Sequence, residues 1–359
     1  MKTDVLIIGG GPAGLSAAIE AASRGLDVTI VDEANQLGGQ LNQQTQELRP
    51  LPSIYESMRG FELANKLIEQ IKDYNVRQLL NHRVVGFYAD GSAGITDEEN
   101  VFPVNAKNII VTSGAAEKAV AFPKWTLPGI MTIGAAQTLI NRDFVKPGRE
   151  AVIVGSSDFA METAIQLMDV GIRVKAIIEK QSGALAKEQE KVSELSRNGI
   201  PFYFNSFIKE ARGNGQVEQI DVALPDEVIT LNVDLVCMDG GRAPILDVFY
   251  QLGCSFGFQE ELGGWIPQYN YRFQTDREDV FIAGNAAGIS THGPLLLTGM
   301  IAGISASEEL QAISPAESHE IREALWKEIE LLEYKEVYSG RVKHLESFTS
   351  PVLKDQFIS

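Results

Sequence analysis

The sequence predicts an α/β protein built around two strand–turn–helix–strand units of the Rossmann type. Residues 4–32 have the pattern of a buried strand, a glycine-rich turn, an alanine-rich helix and a second strand, and residues 151–179 repeat that order. The chain has 44% hydrophobic and 22% charged residues, which is the composition of an ordinary folded protein. Its length of 359 residues allows two or three domains.

Charge, cysteine and histidine content argue against several classes of function. With 31 basic and 48 acidic residues, the net charge of -17 disfavours nucleic acid or an anionic membrane as the main partner. Cys237 and Cys254 are too few for a disulfide framework and too far apart for a C-x-x-C pair. The four histidines lack the spacing of a metal site, so we expect no metal.

The sequence shows no targeting or membrane segment. The apolar start VLIIGG runs straight into glycines after a single Lys2, unlike a signal peptide. No run approaches the roughly 20 apolar residues that a membrane span needs. We therefore expect a cytoplasmic protein without a transmembrane segment.

The first glycine turn, G-G-G-P-A-G, has the spacing of a phosphate-binding loop. We expect Gly9 to permit the tight turn, Gly11 to let the backbone approach a pyrophosphate, and Gly14 to let helix and strand pack closely. Pro12 and Ala13 complete the turn. The bare N–H groups at the start of the helix would then face the phosphates.

The strand that follows this helix ends in an acid. Asp32 lies about 20 residues beyond the glycines, where a carboxylate accepts from a ribose hydroxyl. Glu33 is the alternative for that role. These residues predict a dinucleotide site, but their chemistry does not separate FAD from NAD.

The next stretch, LGGQLNQQTQ, resembles the two-dinucleotide-binding-domain flavoproteins, the superfamily of thioredoxin reductase. In those proteins the G-G-Q-L segment lies along the ribityl chain of the flavin. The resemblance therefore implies FAD in the first domain. It implies flavin contacts from Gly39, Gln40 and Leu41.

Two later segments match the same superfamily. One is the strand and small-residue turn at residues 108–115, where the resemblance implies contacts from Thr112 and Gly114. The other is the strand at residues 279–285, whose Gly284 and Asn285 match a G-D pair that meets the ribityl hydroxyls. Asn285 departs from the usual Asp, and an amide can accept and also donate.

A helix predicted to begin near Pro294 would point its N-terminus at the flavin, as the resemblance implies. The positive end of its dipole would stabilise the anionic reduced flavin. Thr291, His292 and Gly293 would lie nearest. His292 has two interpretations. It tunes the flavin or contacts a substrate, or it only makes a hydrogen bond at the helix start. No residue can be assigned as a general base, which leaves the flavin as the redox centre.

The second unit repeats the pattern but has lost a glycine. Its turn begins at Gly155 and continues through Ser157 to Ala160, so a side chain crowds the place of the pyrophosphate. Glu179 at the end of the next strand favours NAD over NADP, because a carboxylate repels a 2'-phosphate. Three interpretations stay open: a working NAD site, a site for another adenine nucleotide, and a retained scaffold.

The resemblance also implies the domain boundaries, because residues 233–244 resemble the strand and G-R-x-P turn that close the NAD domain. The NAD(P)-type domain is then inserted in the FAD domain, with a C-terminal helix and tail beyond it. The expected ranges are 1–117 and 246–312 for the FAD domain, 118–245 for the inserted domain, and 313–359 for the C-terminal part.

The segment around Trp125, residues 121–137, resembles a W-T-L-P-G-V-M stretch of a narrower group. That group comprises FAD-carrying subunits of heteromeric amine and amino-acid dehydrogenases, among them hydrogen cyanide synthase, opine oxidase, hydroxyproline dehydrogenase and the large subunit of tetrameric sarcosine oxidase. The resemblance covers Met1 to about Ser307 and implies partner subunits and an amine or amino acid as substrate. A Pro-Gly hinge between domains is the alternative.

The C-terminal part departs from a plain reductase. Ser314 to Glu317 has the pattern of a capping box before an apolar stripe, which predicts a helix that packs on something. The tail contains five apolar residues that either dock on a partner subunit or fold back on the FAD domain: Phe348, Val352, Leu353, Phe357 and Ile358.

Three functions follow from these features. The first is the electron-relaying flavoprotein subunit of a heteromeric amine or amino-acid dehydrogenase or oxidase, which agrees with the lack of a redox cysteine pair. The second is a stand-alone NAD(P)H-dependent flavin reductase. The third is a non-catalytic nucleotide-binding subunit.

Overall fold

The structure, a computed structural model, describes residues 1–348. The chain folds into two compact units. Unit 1 comprises Met1–Ala116 and the described residues from Ala243 onward, and unit 2 comprises Glu117–Arg242. Four of the five apolar tail residues, Val352, Leu353, Phe357 and Ile358, lie outside the described residues.

The described residues contain twenty-one strands and nine α-helices. The strands are β1 (Lys2–Ile8), β2 (Val28–Asp32), β3 (Glu47–Leu48), β4 (Met58–Arg59), β5 (Val76–Leu80), β6 (Arg83–Phe87), β7 (Ala93–Thr96), β8 (Val101–Val111), β9 (Ala115–Glu117), β10 (Ile130–Thr132), β11 (Glu150–Val154), β12 (Arg173–Ile178), β13 (Phe202–Tyr203), β14 (Phe207–Arg212), β15 (Gln219–Ala223), β16 (Val228–Asn232), β17 (Leu235–Met238), β18 (Arg242–Pro244), β19 (Phe256–Gln259), β20 (Gly264–Pro267) and β21 (Val280–Ile282). The helices are α1 (Pro12–Ala22), α2 (Gly60–Ile71), α3 (Ile133–Asn141), α4 (Asp158–Asp169), α5 (Gln189–Arg197), α6 (Asp247–Leu252), α7 (His292–Glu309), α8 (Pro315–Leu332) and α9 (Lys335–Ser347).

Unit 1 is organised around a seven-stranded sheet in the order β5-β2-β1-β8-β7-β6, with β21 also paired to β8. The pairs β1–β2, β1–β8, β2–β5 and β8–β21 are parallel, whereas β7 pairs antiparallel with β6 and β8. Helices α1 and α7 pack closely on each other, and small residues permit this approach. A Cβ added at Gly299 of α7 would lie 2.2 Å from the carbonyl oxygen of Ala13 in α1.

Unit 2 contains a parallel sheet in the order β10-β17-β11-β12-β13 and a separate antiparallel meander of β14, β15 and β16. Helices α3 and α4 pack together beside the parallel sheet through an apolar cluster that includes Ile133, Met161 and Leu167. The structure therefore confirms the predicted fold class, with two Rossmann-like units and the second inserted in the first.

The C-terminal part contains two helices, α8 and α9, where the sequence predicts one. Helix α8 begins at Pro315, and the hydroxyl of Ser314 accepts from the N–H of Glu317 at 3.3 Å. Its Leu325 and Ile329 are buried in the core of unit 1. Among residues 1–348, no helix combines the length and apolarity that crossing a membrane requires. Within the same range, no group of three or more His, Cys, Asp or Glu side chains could hold a metal ion.

Candidate functional site

The first glycine turn joins β1 to α1 and leaves the start of α1 open. Gly9 has a φ of +108°, in the left-handed region that favours glycine, and its N–H donates to Val31 O at 2.8 Å. Gly11 is the N-cap of α1 and offers no side chain to cap the helix. A Cβ added at Gly11 would meet only the Cα of Gly39, 4.0 Å away. The first N–H groups of α1 therefore face space that a ligand can enter.

This turn fits the pyrophosphate of a dinucleotide. The first turn of α1 contains Pro12 and no acidic residue, so the positive end of the helix dipole is not neutralised by a carboxylate within the helix. Gly14 permits the geometry, because a Cβ there would lie 2.0 Å from Gly9 O. Ala13 of α1 is buried in the core of unit 1. The position of a Cβ at Gly11 is therefore clear of side chains.

The two acids at the end of β2 differ in their contacts. Asp32 accepts from the N–H of Gly10 at 2.6 Å and from the N–H of Ala34 at 2.8 Å, one bond for each carboxylate oxygen. Glu33 is exposed, and no hydrogen bond engages its carboxylate among residues 1–348. Asp32 thus fixes the turn and keeps acceptor capacity on both oxygens, whereas the carboxylate of Glu33 makes no hydrogen bond within residues 1–348.

The segment predicted to follow the ribityl chain lies beside the turn. Gly39 opens a 3-10 helix, Gly39–Gln43, and the N–H of Gly38 donates to Gly10 O at 2.8 Å. Leu41 is buried, whereas Gln40 is exposed and its side-chain oxygen accepts from Gln43. The structure therefore brings Gly39 next to Gly11, as a shared cofactor site requires.

The end of β8 supports the same turn. Thr112 is buried, and its hydroxyl donates to Gly9 O at 2.7 Å. Gly114 follows with a φ of +76°, and a Cβ added there would meet nothing within 4 Å. Thr112 therefore holds the first glycine turn in place through this hydrogen bond.

The segment after β21 contacts the first turn of α1. The N–H of Gly284 donates to the hydroxyl of Thr298 at 2.9 Å, and a Cβ at Gly284 would lie 2.9 Å from the Cβ of Ala13. Asn285 follows, and its side-chain oxygen accepts from the N–H of Ser290 at 3.1 Å. Gly284 thus lies against α1.

Helix α7 begins two residues earlier than the sequence predicts. Thr291 is its N-cap, His292 is its first residue, and Pro294 sits at its third position. The Cα of Gly293 is closely packed, since an added Cβ would lie 3.0 Å from both Leu332 Cδ1 and Pro50 O. His292 is half-buried at this helix start.

The second turn, in unit 2, has the backbone of the first but not its open helix start. Gly155 has a φ of +100°, and its N–H donates to Ile178 O at 2.8 Å. Ser157 is the N-cap of α4, and its hydroxyl accepts from the N–H of Ala160 at 3.3 Å. The same hydroxyl donates to Asp239 Oδ2 at 2.5 Å. A capping side chain and a carboxylate thus stand where the first turn is open.

Asp239 was not singled out from the sequence, although a signal for it exists. The N–H of Asp239 donates to Val154 O, just as the N–H of Thr112 donates to Ile8 O in unit 1. Aligning the two copies by their third strands sets D-G-G against T-S-G at residues 112–114. That alignment would have shown a carboxylate in place of a neutral hydroxyl beside the second turn.

Glu179 is engaged within its own unit. It is only 4% exposed, and its two carboxylate oxygens accept from the hydroxyl of Ser156 at 2.6 Å and from the N–H of Gln181 at 2.8 Å. The hydroxyl of Ser156 in turn accepts from the N–H of Leu185 at 2.9 Å. Glu179 therefore ties the turn to the loop after β12 and is poorly placed to bind a ribose.

The cysteines and the Trp125 segment lie apart from these turns in sequence. Burial raises the pKa of Cys237 to about 12 and that of Cys254 to about 11, so both thiols stay protonated at neutral pH. Trp125 lies in a turn before β10 with 37% of its surface exposed. Neither cysteine has the thiolate character of a redox centre.

Comparison with known proteins is consistent with this architecture. The profile of the family described as pyridine nucleotide-disulphide oxidoreductase matches residues 3–312. The chain is 29% identical to the HcnB chain of the hydrogen cyanide synthase of Pseudomonas aeruginosa, over 90% of this chain and 75% of that one. It is 25% identical to one of the subunits of the opine oxidase of Agrobacterium tumefaciens, over 87% of this chain and 66% of that one.

Among solved structures, the L-proline dehydrogenase of P. horikoshii superposes with a TM-score of 0.69 at 22% identity. The match covers 90% of this chain and 59% of that one. At this identity the likeness concerns the fold.

Proposed function

The chain belongs to the pyridine nucleotide-disulphide oxidoreductase family, and from that premise we propose that it is the FAD-carrying subunit of a heteromeric amine or amino-acid dehydrogenase or oxidase. At the coarser level it is a flavin-dependent oxidoreductase. The similar chains from hydrogen cyanide synthase and opine oxidase are both named as subunits, which supports a partner for this chain too.

One observation carries the assignment of the cofactor sites, namely the difference between the two helix starts. The start of α1 at Gly11 is open and has no acid in its first turn. The start of α4 is capped by Ser157, has Asp158 as its first residue and has Asp239 hydrogen-bonded to the cap. We therefore assign FAD to unit 1 and no dinucleotide to unit 2, because a pyrophosphate needs the first environment and is repelled by the second.

The residues of unit 1 would hold FAD in a defined manner. The backbone at Gly11 and the first N–H groups of α1 would bind the pyrophosphate, and Glu33 would accept from the adenosine ribose. Gly39 and Asn285 would flank the ribityl chain. When bound, FAD supplies a two-electron acceptor, which no side chain of this protein provides.

The start of α7 would orient the other end of the cofactor. The N–H groups of its first turn carry the positive end of an 18-residue helix dipole, which favours negative charge near Gly293. Gly293 is packed against Pro50 and Leu332, so this helix start is held in place by two other segments. The two buried, protonated cysteines do not offer an onward electron path, which favours transfer through a partner protein.

An anaerobic spectroscopic titration tests this function. The purified chain should be yellow with one FAD, and NADH or NADPH should leave its flavin absorbance near 450 nm unchanged over many minutes. After reconstitution with its partner, an amine or amino acid should bleach that band. Rapid bleaching of the isolated chain by NADH would instead identify a stand-alone flavin reductase. A colourless chain that refuses added FAD would identify a non-catalytic subunit.

A further inference from the structure

Beyond the stretch that matches the family profile, the C-terminal helices contribute a fully buried ion pair. Glu333 follows α8, Arg341 lies in α9, and neither side chain has any exposed surface. Arg341 donates from Nη2 to Glu333 Oε1 at 2.6 Å and from Nε to Oε2 at 3.0 Å. Burial alone would lower the pKa of Arg341, but the Glu333 charge more than offsets this, so the pKa lies above its ordinary value. Either charge alone would be costly to bury, so the pair is held as one unit.

This ion pair is hydrogen-bonded to the loop between β21 and α7. Arg341 Nη1 donates to Ala287 O at 2.9 Å. The hydroxyl of Ser290 donates to Glu333 Oε1 at 2.6 Å. Ser290 also uses its backbone N–H, which donates to Asn285 Oδ1 at 3.1 Å. The loop from Asn285 to Ser290 is thus fixed to the C-terminal helices through two of its residues.

These contacts define what Asn285 can offer to a ligand. A backbone N–H only donates, so the side-chain oxygen of Asn285 must face Ser290. The amino group of the same side chain then points away from Ser290. In the position where related flavoproteins carry an acceptor, Asp, this chain presents a donor whose direction is set by Ser290.

We propose that Glu333 and Arg341 are positioning residues for FAD, which act by holding Ser290 and Ala287 and thereby aiming Asn285 and the start of α7. The inference rests on the proposed function, because it takes FAD as the ligand of unit 1. It assigns a role in cofactor binding to the segment that follows residue 312.

The chain offers a matched control at the other end of α7. Ser318 donates to Glu308, and Glu308 pairs with Arg322 Nη1 at 2.5 Å, so a second ion pair of low exposure joins α7 to α8. Glu308 lies near the C-terminal end of the 18-residue α7, about 25 Å from its start by the rise of an α-helix. The Ser318→Ala change therefore removes the same kind of bond without touching the cofactor site.

The experiment measures FAD dissociation constants and visible spectra for the full chain and its variants. Ser290→Ala should weaken FAD about fivefold, the size of one net hydrogen bond, and alter the fine structure of the flavin band. Ser318→Ala should lower the melting temperature by a similar amount but leave the FAD affinity and the flavin spectrum unchanged. Ser290→Thr, which keeps the hydroxyl, should restore the wild-type affinity. Glu333→Gln leaves Arg341 buried without its counter-charge. If this variant folds, it should weaken FAD binding more than Ser290→Ala does.

The outcomes separate the two proposals. Equal FAD affinities and spectra for Ser290→Ala and Ser318→Ala, with a wild-type chain that binds FAD, would overturn the positioning role alone. A wild-type chain that binds no FAD would overturn the proposed function and the positioning role together.

Discussion

The two glycine turns of this chain have nearly the same backbone and opposite surroundings. Gly9 and Gly155 share a left-handed φ and the same hydrogen bond to the neighbouring strand. The N-cap residues Gly11 and Ser157 are both extended, with φ of −74° and −69°. The difference lies in the cap side chain and in Asp239, which replaces Thr112. The start of α4 is thus satisfied by side chains of the protein itself, whereas the start of α1 has no side-chain cap.

The acids that follow the turns show a second difference. Asp32 and Glu179 both accept from their own turn and from the backbone two residues ahead. The residue after each acid is exposed, and it is Glu33 in the first copy and Lys180 in the second. The strand-end acid therefore serves the turn in both copies, and the exposed residue beside it is negatively charged in the first copy and positively charged in the second.

The largest effect is expected from closing the first turn at Gly14. The Gly14→Ala change places a Cβ 2.0 Å from Gly9 O, so α1 must move away from β1. We expect a loss of about 3 kcal/mol in the free energy of unfolding, together with loss of FAD. The matched change Ala160→Gly should cost only about 1 kcal/mol. Urea unfolding of both variants checks this, and a stable, yellow Gly14→Ala protein would contradict it.

Acid should destabilise unit 1 more than unit 2. His344 is fully buried in unit 1, and burial lowers its pKa to about 4, whereas residues 117–242 contain no histidine. Below pH 6.5 the unfolded state takes up a proton that the folded state refuses, so stability is lost as the pH falls toward 4. The loss should reach about 3 kcal/mol. Hydrogen exchange should show weaker protection in unit 1 at pH 4.5, and an equal loss in both units would refute the idea.

The Gly11→Ser change should transfer the cap of the second turn to the first. A Cβ fits at Gly11, so the fold should persist and the new cap could add about 1 kcal/mol to stability. The hydroxyl would compete with the pyrophosphate for the helix N–H groups, and we expect FAD to bind about tenfold more weakly. The control is Gly183→Ser, at a position with open space. Unchanged FAD affinity in Gly11→Ser would show that this turn does not bind phosphate.

The two neighbouring acids should separate affinity from stability. Glu33→Gln should weaken FAD about fivefold and leave the free energy of unfolding unchanged, because no hydrogen bond within residues 1–348 engages this carboxylate. Asp32→Asn should reduce stability by about 1–3 kcal/mol, because one of its two backbone bonds is lost within the fold. Equilibrium FAD titration and urea unfolding measure the two quantities. The reverse pattern would assign the ribose to Asp32.

The smallest effect is a gain in unit 2. Removing the cap and the charge together, by Ser157→Gly with Asp239→Asn, should make weak NADH binding detectable by fluorescence titration, with a dissociation constant of about 1 mM. The wild-type chain should show no NADH binding at about 1 mM NADH. A double variant that still binds no NADH would mean that Glu179 and the loop after β12 close the site as well.

The fold could be predicted from the sequence to a large extent, but the contacts of the second turn could not. The strand–turn–helix pattern is local, so β1 and α1 appear close to where the sequence puts them, although Pro12 and Ala13, which the sequence places in the turn, already belong to α1. The bond between Ser157 and Asp239 joins residues 82 positions apart, and only the pairing of β11 with β17 brings them together. The burial of Glu333 and Arg341 likewise depends on how α9 packs, which hydrophobic periodicity does not reveal.

The most direct test of the whole account is a count of dinucleotides bound per chain. Equilibrium dialysis of the purified protein against saturating FAD and NADH measures both ligands at once. The NADH concentration is 0.1 mM, about a tenth of the dissociation constant expected for the Ser157→Gly, Asp239→Asn double variant. We expect one FAD and no NADH per chain. One NADH per chain, or no FAD, would contradict the assignment of an open site to unit 1 and a closed one to unit 2.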